Sequence, residues 1–186
     1  MGRVSREQAQ ENRKRIVETA SRLFREQGTH VSVADLMKAA GLTHGGFYKQ
    51  FDSKEALIDE ATAHAFGELR QRHTAALEQY SARPETAQRA FIEDYLSTAH
   101  RDDAADGCPV AALATDIARE PGDREAHRIY TEGVTDLAGW LATNDQDGIT
   151  RLCTMFGALL LARATKDTPL SEEILTAARA ALTATD

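Results

Sequence analysis

The chain has 186 residues, 42% of them hydrophobic and 27% charged, which fits one or two small globular domains and excludes long disorder and collagen-like or low-complexity character. No run of about 18 apolar residues occurs, so no membrane-spanning helix is expected. The net charge of −7 is unevenly spread: residues 1–54 carry ten Lys/Arg against six Asp/Glu, a balance of +4, and residues 55–186 carry twelve against twenty-three, a balance of −11.

A basic end on an acidic body points to a polyanionic partner for that end. The polar start, Met1-Gly2-Arg3-Val4-Ser5-Arg6, lacks an apolar core, so no secretory signal is expected. Cys108 and Cys153 are too few for a disulfide framework, and they read as reduced thiols in a cytoplasm.

The elements are predicted in chain order as helices. Between Glu11 and Gln27, Ile16, Ala20, Leu23 and Phe24 form one apolar stripe, and Gly28 stands where a terminating glycine belongs. Ser32 opens a short second helix and pairs with Asp35 as in a capping box. Val33, Leu36, Met37 and Ala40 give that helix its buried face, and Gly41 stops it. A third short helix is predicted over about Thr43 to Phe51. Asp52-Ser53 then caps a fourth, Lys54 to Tyr80, on the order of 40 Å long. Arg83-Pro84 ends it. Further helices are predicted at about 86–102, 109–119, 123–143, 147–165 and 171–184, separated by Asp106-Gly107-Cys108-Pro109, Glu120-Pro121-Gly122 and Thr168-Pro169. The expected architecture is all-α, about nine helices: a three-helix module over 1–52 and a helical body over 53–186.

Two short helices joined by Gly41-Leu42, with a longer one across them, have helix-turn-helix spacing. The segment His44-Gly45-Gly46-Phe47-Tyr48-Lys49 is unusual for a packed helix, because each glycine costs about 1 kcal/mol against alanine. A bare backbone can, however, approach base edges closely. Phe47 and Phe51, four apart, would anchor the helix inward. Tyr48 and Lys49 could then hold phosphates and His44 a base edge, with the N-terminus at Lys54 offering a further phosphate site. Arg3, Arg6 and Arg13 could reach DNA backbone or minor groove, or simply be solvated. A three-helix module used for protein contact is the alternative that helix-turn-helix spacing alone leaves open.

The run from Leu36 to Leu57, including Thr43-His44-Gly45-Gly46-Phe47-Tyr48-Lys49-Gln50-Phe51 and Lys54, resembles the DNA-binding signature of the TetR/AcrR family of bacterial repressors over about residues 11–60. The resemblance implies an all-helical homodimer that binds double-stranded operator DNA, with a divergent C-terminal domain for a small-molecule effector. It also implies DNA contact through Ser32, Thr43, His44, Gly45, Gly46, Tyr48, Lys49, Gln50 and Lys54. Gln50 departs from the histidine usual in the family, which puts the strength of that phosphate contact in question.

In the body, Phe66, Phe91, Tyr95, Tyr130 and Trp140 are candidate walls of an effector pocket, with core packing the alternative for each. Cys108 precedes an alanine-rich helix, so the helix dipole would favour its thiolate, and a thiol sensor and a small buried hydrophobe both remain open. Cys153 reads as packing. The segment Leu152–Ala164 is apolar on most sides and needs covering on most sides. A dimeric four-helix bundle, with contacts from Met155, Phe156, Leu159 and Leu160 on one helix and Ile174, Leu175 and Ala178 on the next, would supply that cover. The family resemblance places the dimer contact there as well.

Asn144-Asp145-Gln146-Asp147-Gly148 hints at a calcium loop, but registration on Gly148 puts Thr143 and Thr154 at two ligand positions. No metal or cofactor is expected, and no catalytic motif stands out. The rival readings are a DNA binder with a filled, ligand-free body and a small helical enzyme with paired titratable groups in a pocket.

Overall fold

The computed structural model describes residues 6–80, 83–144 and 147–184. Arg3 and the Asp145-Gln146 part of the calcium-like loop lie outside them. The described residues are all-helical, with no strand among them. Their order is α1 (Arg6–Gln27), α2 (Val33–Ala39), a 3-10 helix (His44–Lys49), α3 (Lys54–Gln79), α4 (Pro84–Tyr95), α5 (Thr98–Asp102), α6 (Pro109–Ile117), α7 (Glu125–Leu141), α8 (Gly148–Ala164) and α9 (Pro169–Thr183).

The termini near the N-terminal end follow the sequence signals. Gly28 adopts φ +88° after α1 and Gly41 φ +67° after α2. At Gly41 the chain closes a double-bonded helix end, with Leu42 N–H donating to Met37 O at 2.8 Å and Gly41 N–H to Lys38 O at 3.0 Å. Ser32 Oγ accepts from Asp35 N at 3.1 Å and donates to the Asp35 carboxylate at 2.6 Å, and Ser53 Oγ accepts from Ala56 N at 3.1 Å.

Several elements differ from expectation. α1 begins at Arg6, a full turn or more before Glu11. The third helix is a 3-10 turn rather than an α-helix, in keeping with its short length and paired glycines. The helix expected over 86–102 breaks in two, because Ser97 captures the His100 N–H at 3.1 Å and starts α5 afresh. Pro84 and Pro169 open α4 and α9 from inside, at a position where a missing N–H costs nothing.

Two apolar clusters organise the chain. One joins α1, α2, the 3-10 helix and the first turns of α3 around Ile16, Phe24, Leu36, Met37, Phe47 and Leu57. The other fills the body around Phe66, Ile92, Leu96, Leu141, Met155 and Leu159. α3 runs through both. Leu113 and Ile117 of α6 belong to the first cluster while Cys108, Val110 and Ala111 at its start belong to the second, so α6 also spans the two.

Three residues expected on the dimer face, Met155, Leu159 and Leu175, are buried within the chain's own core. α8 is apolar on most of its circumference, and α7 and α9 take its inner side. Its outward stripe is instead Ile149, Cys153, Phe156 and Leu160, spaced four, three and four apart. Ile149 is 63% exposed and Leu160 37%. Cys153, expected to pack, is exposed on that stripe. Phe156, Ile174 and Ala178 are half-buried.

Candidate nucleic-acid interface and body cavity

Phe47 and Phe51 stack at 5.5 Å between ring centroids and are both buried, which fixes the 3-10 helix on the head's core. The opposite side of that helix is then forced outward. Tyr48 is 65% exposed; Thr43, His44, Gly45, Lys49 and Ser32 are exposed, and Gly46, Gln50 and Lys54 are half-buried. His44 lies beside Tyr48, ring centroids 6.3 Å apart, so the two form one surface. Thr43 precedes the helix without a side-chain capping bond.

A Cβ added at Gly45 meets nothing within 4 Å, and Gly45 does not have a positive φ. Neither turn geometry nor internal packing therefore calls for glycine there. The bare backbone faces solvent, where it leaves room for a partner.

Arg13 is used differently from the expectation that it reaches DNA. Its guanidinium lies 4.2 Å from the Phe51 ring centroid, donates to the Gln50 carbonyl and pairs with Glu60. It ties α1 to the end of the 3-10 helix and to α3. Arg6 is exposed in the first turn of α1.

In the body a cavity of about 270 Å³ opens between α3, α4 and the segment before α6. Phe91, Tyr95 and Cys108 line it, joined by Leu69, Arg72, Tyr80, Asp94 and His100 among others. Phe66 and Tyr130 lie elsewhere. Their rings meet edge to face at 5.7 Å, and the Tyr130 hydroxyl donates to Val110 O at 2.7 Å. Phe66 also explains Gly133, where a Cβ would fall 2.2 Å from the ring. Trp140 stacks on His73 at 4.4 Å behind Phe91 rather than on the cavity wall. His100 of α5 and Arg72 of α3 carried no sequence signal, because only the packing of α5 and its following loop against α3 brings them together.

The thiol of Cys108 is buried, and burial pushes its pKa up despite the Ala111 and Val110 backbone N–H groups and the Tyr95 hydroxyl, which pull it down. Desolvation thus outweighs the dipole effect expected from sequence. The Cys108 N–H donates to His100 Nε2 at 3.1 Å, so His100 Nδ1 carries the ring proton and donates to Tyr95 O at 2.7 Å. Both ring nitrogens are occupied, and burial lowers the His100 pKa further.

The loop before Cys108 is bound to the head. Arg25 of α1 is buried and donates to Gly107 O at 3.2 Å while pairing with Glu68 of α3 at 2.9 Å. Arg22 pairs with Asp106 at 2.9 Å. At the far end of α6, Asp116 accepts from Thr29 N at 2.6 Å. Among the described residues no His/Cys/Asp/Glu group is arranged to hold a metal, and no helix is long and apolar enough to cross a membrane.

Residues 16–61 match the model of the family described as bacterial regulatory proteins, tetR family. Over 61 residues the chain is 41% identical to the HTH-type transcriptional regulator AcrR of Shigella flexneri, a match covering 32% of this chain and 28% of that protein. An uncharacterized HTH-type transcriptional regulator of Mycobacterium tuberculosis is 28% identical over 175 residues, 85% of this chain and 88% of its own. In fold, the chain is similar to Escherichia coli NemR in its reduced form, with a TM-score of 0.77 at 19% identity over 93% of this chain and 95% of that one. A TetR-family regulator from Agrobacterium tumefaciens gives the same TM-score at 22% identity, covering 95% and 100%. The chain thus carries a tetR-family helix-turn-helix segment over residues 16–61, at the front of an all-helical fold similar to that of TetR-family regulators.

Proposed function

We propose that the chain is a ligand-responsive repressor that binds a palindromic operator as a homodimer. The domain division is 1–52 for the DNA-binding head and 53–186 for the effector and dimerisation body. One observation carries the reading: the solvent face of the 3-10 helix, with Gly45 bare and His44, Tyr48 and Lys49 exposed, is built for a partner and serves no packing need of the chain. In this reading Thr43, His44, Gly45 and Gly46 enter the major groove, and Ser32, Tyr48, Lys49, Gln50 and Lys54 hold the flanking phosphates.

The outward stripe of α8, together with exposed Leu170 and the half-buried Ile174 and Ala178 of α9, supplies an apolar face for a second copy. Two heads held there would address half-sites roughly 34–36 Å apart, or somewhat more. The response to effector runs from the cavity through the Cys108 loop to Arg22 and Arg25 of α1, and along α6 to Asp116 and Thr29. A ligand that prefers one arrangement of this path by a few kcal/mol shifts the spacing of the heads.

The test uses a duplex enriched by the wild-type protein from a random-sequence pool. Tyr48→Phe and Lys54→Ala are expected to weaken binding to every duplex, with Lys54→Ala lowering the salt slope by about 0.9. His44→Ala is expected to change base preference more than overall affinity. Unchanged affinity in all three variants would remove the interface from this surface.

A further inference from the structure

We propose that Arg13 is a positioning residue for base recognition: it fixes the 3-10 helix against α3 and so sets discrimination between duplexes without itself holding DNA. This rests on the DNA-binding reading of the head and adds a residue through which that surface acts.

The helix needs an outside fastening. It has six residues, His44–Lys49, two of them glycine, and no side-chain bond caps its start. A 3-10 helix this short does not hold its shape alone. At its far end the Gln50 and Phe51 N–H groups both return to Phe47 O, at 2.8 and 3.0 Å. The Gln50 carbonyl lies beyond that last turn and takes the Arg13 guanidinium as its donor. The stacked rings of Phe47 and Phe51 press the helix onto the core. Apolar contact is non-directional, so it resists lifting better than sliding or turning.

Arg13 supplies the missing direction. Its guanidinium lies 4.2 Å from the Phe51 ring centroid, donates to the Gln50 carbonyl and pairs with the Glu60 carboxylate. The planar fork of arginine suits such a three-way seat, and a lysine ammonium does not reproduce it. The seat joins three elements: α1 through Arg13 itself, the end of the 3-10 helix through Gln50, and α3 through Glu60. α3 also starts at Lys54, behind the Ser53 cap. Arg13 therefore sets the placement of Thr43–Gly46, which would read bases, relative to Lys54, which would hold a phosphate.

The two kinds of contact differ in tolerance. Base-edge hydrogen bonds need close placement and carry sequence information, whereas phosphate contacts carry none directly. Loosening the Arg13 seat therefore costs base discrimination first.

Fluorescence anisotropy of the full chain provides the test, on the duplex enriched by the wild type and on a scrambled duplex over a range of salt concentrations. Circular dichroism fixes a temperature at which each variant is folded. Arg13→Met keeps the stem and removes the fork. It is expected to weaken binding to the selected duplex by about tenfold, the worth of one base contact, with the scrambled duplex and the salt slope close to unchanged. Glu60→Gln is expected to act in the same direction by less, Arg13→Lys to fall between wild type and Arg13→Met, and the double variant Arg13→Met with Glu60→Gln to bind no worse than Arg13→Met, because the pair works as one unit. Equal losses on both duplexes with the salt slope lowered by about 0.9 would overturn the proposal and make Arg13 a phosphate contact. Full discrimination in folded Arg13→Met would overturn it as well and leave Arg13 a residue of stability alone. If Arg13→Met does not fold, Arg13→Lys and Glu60→Gln decide, and full discrimination in both overturns the proposal. The reading beneath it fails separately, when the wild type enriches no duplex at all.

Discussion

The head and the body place their polar groups in opposite ways. In the head, the core around Phe24, Leu36, Met37 and Phe47 is apolar, and the groups with chemistry, His44, Tyr48 and Lys49, stand in solvent. In the body, the outer stripe of α8 is apolar, while His73, Tyr95, His100 and Cys108 are wholly or largely buried. A surface that must meet a polyanion needs its donors outside and a rigid floor beneath them. A body of the kind proposed here, holding a small molecule and a second copy of itself, needs the reverse.

The strongest way to break this contrast is to remove the floor. Phe47 is fully buried against Phe51, so Phe47→Ala is expected to cost about 3–5 kcal/mol. Urea unfolding followed by circular dichroism should show the loss, and DNA binding should vanish with it. Full DNA affinity in the variant would show that the 3-10 helix does not depend on its aromatic anchor.

The next effect belongs to the body. His73 is stacked on Trp140 at 4.4 Å with Nε2 lacking a partner, and burial lowers its pKa to about 4. The unfolded chain takes up this proton near pH 6.5 and the folded chain only near 4, so stability is complete above 6.5 and lost as pH falls between those values. The loss attributable to this residue is about 3 kcal/mol. It is measured as the difference in urea midpoint between wild type and His73→Leu at pH 7 and pH 4. Parallel pH profiles in the two proteins would place the acid sensitivity elsewhere.

The smallest effect is the most discriminating. Gly45→Ala meets open space, so it is expected to raise stability by up to about 1 kcal/mol while weakening binding to the selected duplex. An alanine that stabilises without cost to DNA binding would show that the bare backbone is not used there.

The sequence was readable where a structural cause and its effect lie within a few residues. The Ser32–Asp35 cap, the stop at Gly41 and the inward pair Phe47–Phe51 each involve groups no more than five positions apart. The same logic failed at Arg13. Its partners, Gln50 and Glu60, are 37 and 47 residues away, so a residue that looked free for DNA is an internal tie. It failed again at Met155, Leu159 and Leu175, where periodicity marked an apolar helix without telling its inner from its outer side.

By itself the sequence determined an all-helical chain with a basic helix-turn-helix head, because capping, turn geometry and the apolar period act along the chain. Only the tertiary structure decided which aromatics pack and which line a cavity, that desolvation raises the Cys108 thiol against the helix dipole, and that the loop beside it is fastened to α1. Those outcomes depend on which distant side chains exclude water from one another, and that is settled when the helices pack.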